Sequence, residues 1–420
     1  MKVNRVKGTY DVLPVESTKW QQLEKFIREI LKSYNYEEIR TPIFEHSEVF
    51  HRDSEMSDMV TKETYNFLDR GNRNITLRPE GTAGVIRAYV ENKMYVNGFD
   101  KLYYIGPNFR YERPQKGRYR QFYQFGVEAL GSLDPLLDAE VIILGYQIME
   151  ELKLENILVK VNTLGDRESK LIYEKKLREH FRPHKAELCR DCQERIEKNP
   201  LRILDCKIDQ NHEAVINAPT PFDYLTDYAK THFETVLKEL DKANINYEVN
   251  KRLVRGLDYY SHTVFEIDAK IEGFGAQNTL LGGGRYENLV EELGGPKTSA
   301  VGFACGMERL LYALEIENSS FFKKNDIDAF LLILDENSKA IQTKLLYDLR
   351  KAKFNVDALY ISRSFKSALK FALSKNPKYL LILGENELNN NTIQVKNTKT
   401  ENQEEVLLVD LINYLKKENK

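Results

Sequence analysis

Residues 103–131 read YYIGPNFRYERPQKGRYRQFYQFGVEALG. Two strand-like segments rich in apolar residues flank a turn that contains Pro114 and Gly117. Arg110, Arg113, Lys116, Arg118 and Arg120 fall within eleven residues, and Glu112 is the single anion among them. Paired strands here carry Arg110 and Arg120 to either side of a loop. Guanidinium forks match phosphate oxygens bidentately, so the arrangement suits a folded triphosphate. Phe122 and Tyr123 add flat surfaces for a base. Taken alone, the charge run reads first as a solvated basic hairpin.

Upstream, Trp20, Leu23, Phe26, Ile27, Ile30, Leu31 and Tyr34 recur at three- and four-residue steps after Pro14, the stripe of an amphipathic helix, with Ser17 or Thr18 as its cap. EIRTPIFEHSEVF (Glu38–Phe50) is strand-like and interrupted by Pro42, and Tyr65–Pro79 reads as a hairpin turning at Gly71 and Asn72. Short strands following a helix predict an antiparallel sheet with flanking helices, an α+β layout over residues 1–322. Residues 171–228 are charged and helical in period, which marks an insertion. Strand-and-glycine texture resumes from Leu253 to Gly306, and Glu315–Asp326 reads as a linker.

The pattern then changes. FLLIL (Phe330–Leu334), VDALYI (Val356–Ile361) and YLLILG (Tyr379–Gly384) alternate with helical segments ending at Phe354 and Ser374. This predicts a C-terminal α/β domain over residues 326–420 with a parallel or mixed sheet. A hairpin and a helix at Glu405–Glu418 complete it.

A chain of 420 residues accommodates two to three domains, and 42% hydrophobic with 30% charged residues excludes a wholly disordered protein. No apolar stretch nears the ~18 residues of a membrane span. The basic N-terminus has no apolar segment behind it to make a secretory signal, and four cysteines are too few for a disulfide scaffold. A cytoplasmic protein is expected. A net charge of −2 excludes a uniformly basic surface but not a local nucleic-acid site.

Four further segments carry polar chemistry. LRPEGTAG (Leu77–Gly84) offers Glu80 and Thr82 beside mobile backbone. LVRGLDYYSHTVFE (Leu253–Glu266) has one arginine, one aspartate and paired tyrosines. GGGRYENL (Gly282–Leu289) lacks the spacing and the Lys-Ser/Thr of a phosphate loop, so its first two glycines read as close backbone packing. VGFACGMERL (Val301–Leu310) is a strand running into a helix, with Arg309 near the helix start.

Together, FRYE (109–112), RPEGTAG (78–84), LVRGLDYY (253–260) and GFACGMERL (302–310) resemble a class II histidyl-tRNA synthetase, over essentially the whole chain. EIRTPIFEHSEVF resembles motif 1 of that class, FRYE through Phe122 motif 2, and GMERL motif 3. The resemblance implies ATP-dependent ligation of L-histidine to its cognate tRNA through a histidyl-adenylate. It implies Arg110 and Arg255 on the α-phosphate and Arg118 and Arg309 on the bent β- and γ-phosphates, with Mg²⁺ bridging oxygens and Arg110, Arg255 and Arg309 as the catalytic set. It further implies Glu112 and Phe122 on adenine. Glu80, Thr82 and Gln124 would hold the α-ammonium, and Glu128 and Tyr260, with Tyr259 beside them, the imidazole; Arg255 belongs to the histidine-binding set as well. A homodimer with Pro42 near the subunit contact follows from motif 1.

Cys189 and Cys192, with Cys206 downstream and His184 or His212 nearby, outline part of a zinc knuckle. The second pair is incomplete and the histidines form no ligand-like doublet. The expectation is three reduced thiols and no metal. Between Ala358 and Gly384 stand Arg363, Lys366, Lys370, Lys375 and Lys378 without an acid. The first three are the candidate tRNA contacts, on a domain that resembles the anticodon-binding domain of class II enzymes. The rival readings are a non-charging synthetase-like regulatory subunit of histidine biosynthesis, an RNA-binding or sensor module with a dead site, and a sister synthetase for another amino acid. The regulator lacks a C-terminal domain, intact phosphate arginines speak against a dead site, and LVRGLDYY and Glu128 speak against another amino acid.

Overall fold

Pro14 opens the first helix, Pro14–Ser33, because its missing N–H is one the first turn leaves unbonded. Ser17 and Thr18 lie inside the helix rather than capping it, and Thr18 Oγ1 donates back to the Pro14 carbonyl at 3.1 Å. Trp20, Leu23, Ile27, Ile30 and Leu31 are the buried stripe. The computed structural model describes residues 3–52, 57–113, 117–271, 278–323, 326–361 and 363–418, apart from the side chain at position 58. Pro114 and Lys116 of the basic loop lie outside them. The chain forms two compact units, Met1–Phe322 and Lys323–Lys420.

In the first unit the strands are, in chain order, β1 (Glu37–Glu38), β2 (Phe44–His46), β3 (Tyr65–Leu68), β4 (Asn74–Leu77), β5 (Asp100–Phe109), β6 (Gln121–Leu130), β7 (Ile157–Thr163), β8 (Tyr247–Val249), β9 (Tyr260–Ala269), β10 (Thr279–Tyr286) and β11 (Ala300–Gly306). Eight of them make one sheet in the order β1-β5-β6-β11-β10-β9-β7-β8, antiparallel except at its two edges. β3 and β4 form the expected hairpin, with Asn72 in the left-handed region, and β2 pairs with β4. Helices Pro14–Ser33, Pro135–Glu151 and Met307–Glu317 cover one face of the large sheet and share its main apolar core.

The second face carries the site. β6 alternates, so Phe122, Gln124 and Glu128 point to this face while Tyr123 packs against Trp20 behind the sheet, ring centroids 5.1 Å apart. Tyr123 is therefore a core residue and not a base platform. The expected linker begins inside a helix: Met307–Glu317 runs through Glu315, and Phe321 packs against Phe26 at 5.5 Å. Leu171 falls within helix Arg167–Phe181 and Tyr228 within helix Asp227–Lys242, whose Phe233, Val236 and Leu240 belong to the main core.

The second unit contains β12 (Ile327–Ile333), β13 (Val356–Ala358), β14 (Pro377–Leu383), β15 (Thr392–Asn397) and β16 (Gln403–Leu407) in the order β13-β12-β14-β15-β16. The first three are parallel and the last two antiparallel, a mixed sheet. The final helix spans Leu411–Glu418. Glu405 lies instead in β16, because Val406 is buried opposite Ile393.

Candidate active site

The central strands have a floor of small residues. Gly302 pairs with Glu128 on one side and Gly284 on the other, and Ala304 pairs with Gly126 and Gly282. A Cβ on Gly302 would stand 2.2 Å from Glu128 Oε2, and one on Gly282 would stand 2.1 Å from the Arg255 guanidinium. Gly282 is thus a clearance for a site residue rather than simple backbone packing. Gly283, which backs onto the Gly302 carbonyl, keeps the packing role.

Two contiguous cavities open above this floor. The smaller, about 140 Å³, is lined by Glu80, Thr82, Arg110, Gln124, Glu128, Arg255, Tyr259, Tyr260 and Tyr286. The larger, about 570 Å³, is lined by Arg110, Glu112, Arg118, Phe122, Gln124, Arg255, Glu266, Asp268 and Arg309, among others. Arg110, Gln124 and Arg255 border both. All twelve residues expected around ATP and histidine therefore meet in one region. Arg120 does not: its guanidinium stacks 3.9 Å from the Tyr111 ring centroid and lines neither cavity. Arg113 is exposed and outside both.

In the smaller cavity Glu128 accepts hydrogen bonds from Thr82 Oγ1 and from the Tyr286 hydroxyl, each at 2.7 Å. Burial pushes its carboxyl up to about 8, against the pull of those two bonds. Glu80 accepts from the backbone N–H of Thr82 at 2.5 Å and of Ala83 at 2.8 Å, closing the start of helix Thr82–Glu91. Asn108 Nδ2 donates to Gln124 Oε1 at 2.7 Å, which fixes the amide at the cavity wall and leaves that oxygen a second lone pair. Tyr259 packs 4.7 Å from Tyr260 and 5.3 Å from Tyr286. Burial pushes Tyr260 up to about 12, so it stands as a neutral phenol.

In the larger cavity the Arg110 guanidinium lies 5.1 Å from the Phe122 ring, and its Nε donates to the Pro79 carbonyl at 2.8 Å. Glu112 sits between Arg110 (3.9 Å) and Arg118 (3.5 Å). Arg255 pairs with Glu266, while its Nε and the Tyr259 hydroxyl are buried with no hydrogen-bond partner among the described residues. Such orphaned polar atoms mark places a ligand completes. Glu308 accepts from the Tyr123 N–H (2.9 Å) and the Tyr10 hydroxyl (3.0 Å), and burial pushes it up to about 7. It ties the helix bearing Arg309 to β6.

Sequence reasoning missed Tyr286, Asn108, and the Tyr10–Glu308 tie. Tyr286 had a signal, since GGGRYENL places it two residues beyond Gly284 on the same face of β10. The three cysteines converge as well, but with Asp209 rather than His184 or His212. In the second unit Arg363, Lys366 and Lys370 are exposed, the lysines on helix Phe365–Leu373. Lys378 pairs with Asp328 at 3.2 Å.

A largely antiparallel sheet that gathers arginines over a cavity of nucleotide size, followed by a separate α/β unit, is the architecture of a class II aminoacyl-tRNA synthetase. Residues 8–310 match the family model of histidyl-tRNA synthetase, and residues 328–418 that of the anticodon binding domain. The histidine–tRNA ligase of Acholeplasma laidlawii is 54% identical over 99% of both chains, and that of Bacillus licheniformis 50% identical over 99% of both. The crystal structure of apo Staphylococcus aureus histidyl-tRNA synthetase superposes with a TM-score of 0.85 at 39% identity, covering 99% of this chain and 100% of that one. The chain belongs to the histidyl-tRNA synthetase family. It is an enzyme, an aminoacyl-tRNA ligase that charges tRNA with histidine.

Proposed function

We propose that the smaller cavity holds histidine, the larger a bent ATP, and that Arg255 serves both. The observation that carries this reading is the shared wall: Arg110, Gln124 and Arg255 border both cavities, so the two reactants meet between them. Glu128 accepts one imidazole N–H, and the Tyr260 phenol meets the other ring nitrogen. A site with these polar groups rejects an apolar side chain, which would leave them unpaired. Glu80, Thr82 and Gln124 surround the α-ammonium. Thr82 donates its hydroxyl hydrogen bond to Glu128, so its oxygen is left to meet the ammonium as an acceptor.

The histidine carboxylate is already ionised at neutral pH and needs no base. One of its oxygens attacks the α-phosphorus in line, a new P–O bond forms, and the bond to pyrophosphate breaks. Arg110 and Arg255 flank the α-phosphate and neutralise the charge that builds on its oxygens. Arg118 and Arg309 hold the β- and γ-phosphates, and Glu112 and Phe122 receive adenine. In the second step a terminal ribose hydroxyl of the tRNA attacks the acyl carbon and AMP leaves. Asp268 lines the ATP cavity with one buried carboxylate oxygen that has no hydrogen-bond partner among the described residues, which fits a cation there. Mg²⁺ held near Asp268 and Glu266 would neutralise charge on the triphosphate.

The exposed Arg363, Lys366 and Lys370 suit a tRNA backbone, and the segment 171–228 suits the acceptor end of the same molecule. We place the enzyme in the cytoplasm as a homodimer; mass in solution tests the dimer. No helix among the described residues is long and apolar enough to cross a membrane. Aminoacylation with labelled histidine and bulk tRNA tests the whole reading. Charging is the expected result. Histidine binding without charging would favour the regulatory-subunit alternative, which the full-length identity to ligases already disfavours.

A further inference from the structure

Cys189 stands just before helix Arg190–Lys198 and Cys192 in its first turn, while Cys206 and Asp209 lie in the turns beyond it. The pattern is C-x2-C followed by C-x2-D, two clips of equal length. Their three sulfurs and one carboxylate oxygen all lie within 4.8 Å of one another. Cys189 Sγ is 3.7 Å from Cys206 Sγ, and Cys206 Sγ is 3.7 Å from Asp209 Oδ2. Donors held ~2.3 Å from a zinc ion at tetrahedral corners stand roughly 3.7 Å apart. Cys192, Cys206 and Asp209 are buried and Cys189 is half-buried. The surroundings orient the donors: the Asp209 N–H points to Cys206 Sγ at 3.5 Å, and the Cys189 N–H to the Asp209 carboxylate at 3.1 Å.

We propose that Cys189, Cys192, Cys206 and Asp209 form a tetrahedral zinc site. Three soft thiolates and one hard carboxylate suit Zn²⁺ over Mg²⁺ or Ca²⁺. Around a dication they leave a net charge of −2, and Arg195, Arg202 and Lys207 line the adjoining cavity. The site pins residues 199–212, which hold only short turns and one 3-10 turn of their own. Within that segment Arg202 Nη1 donates to the Arg255 carbonyl at 3.1 Å. The metal therefore anchors the stretch that supports the backbone of Arg255.

The test uses full-length, tag-free protein purified under reductant. Elemental analysis should give one zinc per chain. Protein stripped by a chelator should take up one equivalent of Co²⁺ with thiolate-to-cobalt charge-transfer and tetrahedral d–d bands. Cys192→Ser should lower the charge-transfer intensity by about a third, and Asp209→Asn should shift the d–d bands; each should weaken Co²⁺ uptake by 10-fold or more. Wild-type protein that carries no zinc and shows no thiolate–cobalt band overturns the proposal, as do bands and uptake unchanged by Cys192→Ser. Thiol counting that finds a Cys189–Cys206 disulfide in the reduced preparation overturns it too. The wild-type measurements decide the matter even when a variant does not fold.

Discussion

Glu128 is an acid that its surroundings keep partly protonated at neutral pH. Because burial raises it to about 8, binding an imidazole N–H requires the carboxylate and so expels a proton. At pH 7.5 histidine binding should release roughly three-quarters of a proton from this group. Calorimetry in buffers of different ionisation heat reads that release, and heats independent of buffer would refute it. The stability effect runs the other way. A raised acid stabilises the fold below its unfolded value near 4.5, and that contribution is lost as pH climbs to about 8. Glu128→Gln, free of histidine, should therefore gain about 1 kcal/mol or more at pH 8 relative to wild type and nothing at pH 4. Thermal melts at the two pH values check it. Tyr286→Phe removes a donor that holds Glu128 down, so KM for histidine should rise about 10-fold while kcat for adenylate formation changes less. Arg255→Ala should slow pyrophosphate exchange by about 10²–10³; exchange near the wild-type rate would remove it from the catalytic set.

At the scale of strands, the period of two explains most of what the sequence made legible. Phe122, Gln124 and Glu128 alternate onto one face, and their spacing is visible in FYQFGVEAL without coordinates. Tyr123, read as a base platform, illustrates the other half of that rule, since its parity sends it into the core with Trp20. The β10 glycines were legible as glycines but not as clearance, because what a Cβ would strike depends on Arg255, far along the chain. Asp209 was hidden in a similar way: His184 and His212 resemble ligands in the sequence, whereas the fold supplies a carboxylate three residues after Cys206. Helix ends were the least legible, as the Glu405 assignment shows; local charge looked helical, and burial of Val406 in the sheet decided otherwise. Gly302→Ala tests the floor of the sheet. With Glu128 Oε2 and the Val127 carbonyl both 2.2 Å from the new methyl, histidine affinity should fall at least 10-fold. Titration with histidine measures it, and unchanged affinity would show that the strands slide to make room.

Across the whole molecule, a net charge of −2 leaves tRNA attraction to local patches. On the second unit, the Arg363 guanidinium lies 4.8 Å from the Phe371 ring, which fixes one cation beside the exposed Lys366 and Lys370. The double charge reversal Lys366→Glu and Lys370→Glu should weaken tRNA binding and flatten the log–log salt dependence by about two. Filter binding at graded ionic strength reads the slope, and an unchanged slope would move the contact elsewhere. Adenylate formation, which needs no tRNA, should stay at the wild-type rate.

Two side chains from the stretch between β7 and β8 hold the loop that precedes β9. Lys170 Nζ donates to the carbonyls of Asp258 and Tyr260, at 2.9 and 2.8 Å, and Arg202 grips the carbonyl of Arg255. A chimera that borrowed this lobe from a distant cousin would inherit its own docking preferences but lose these two grips unless the donor kept cations at both points. Anyone transplanting the lobe should carry Lys170 and Arg202 across first, and only then judge whether the graft has changed which nucleic acid the enzyme accepts.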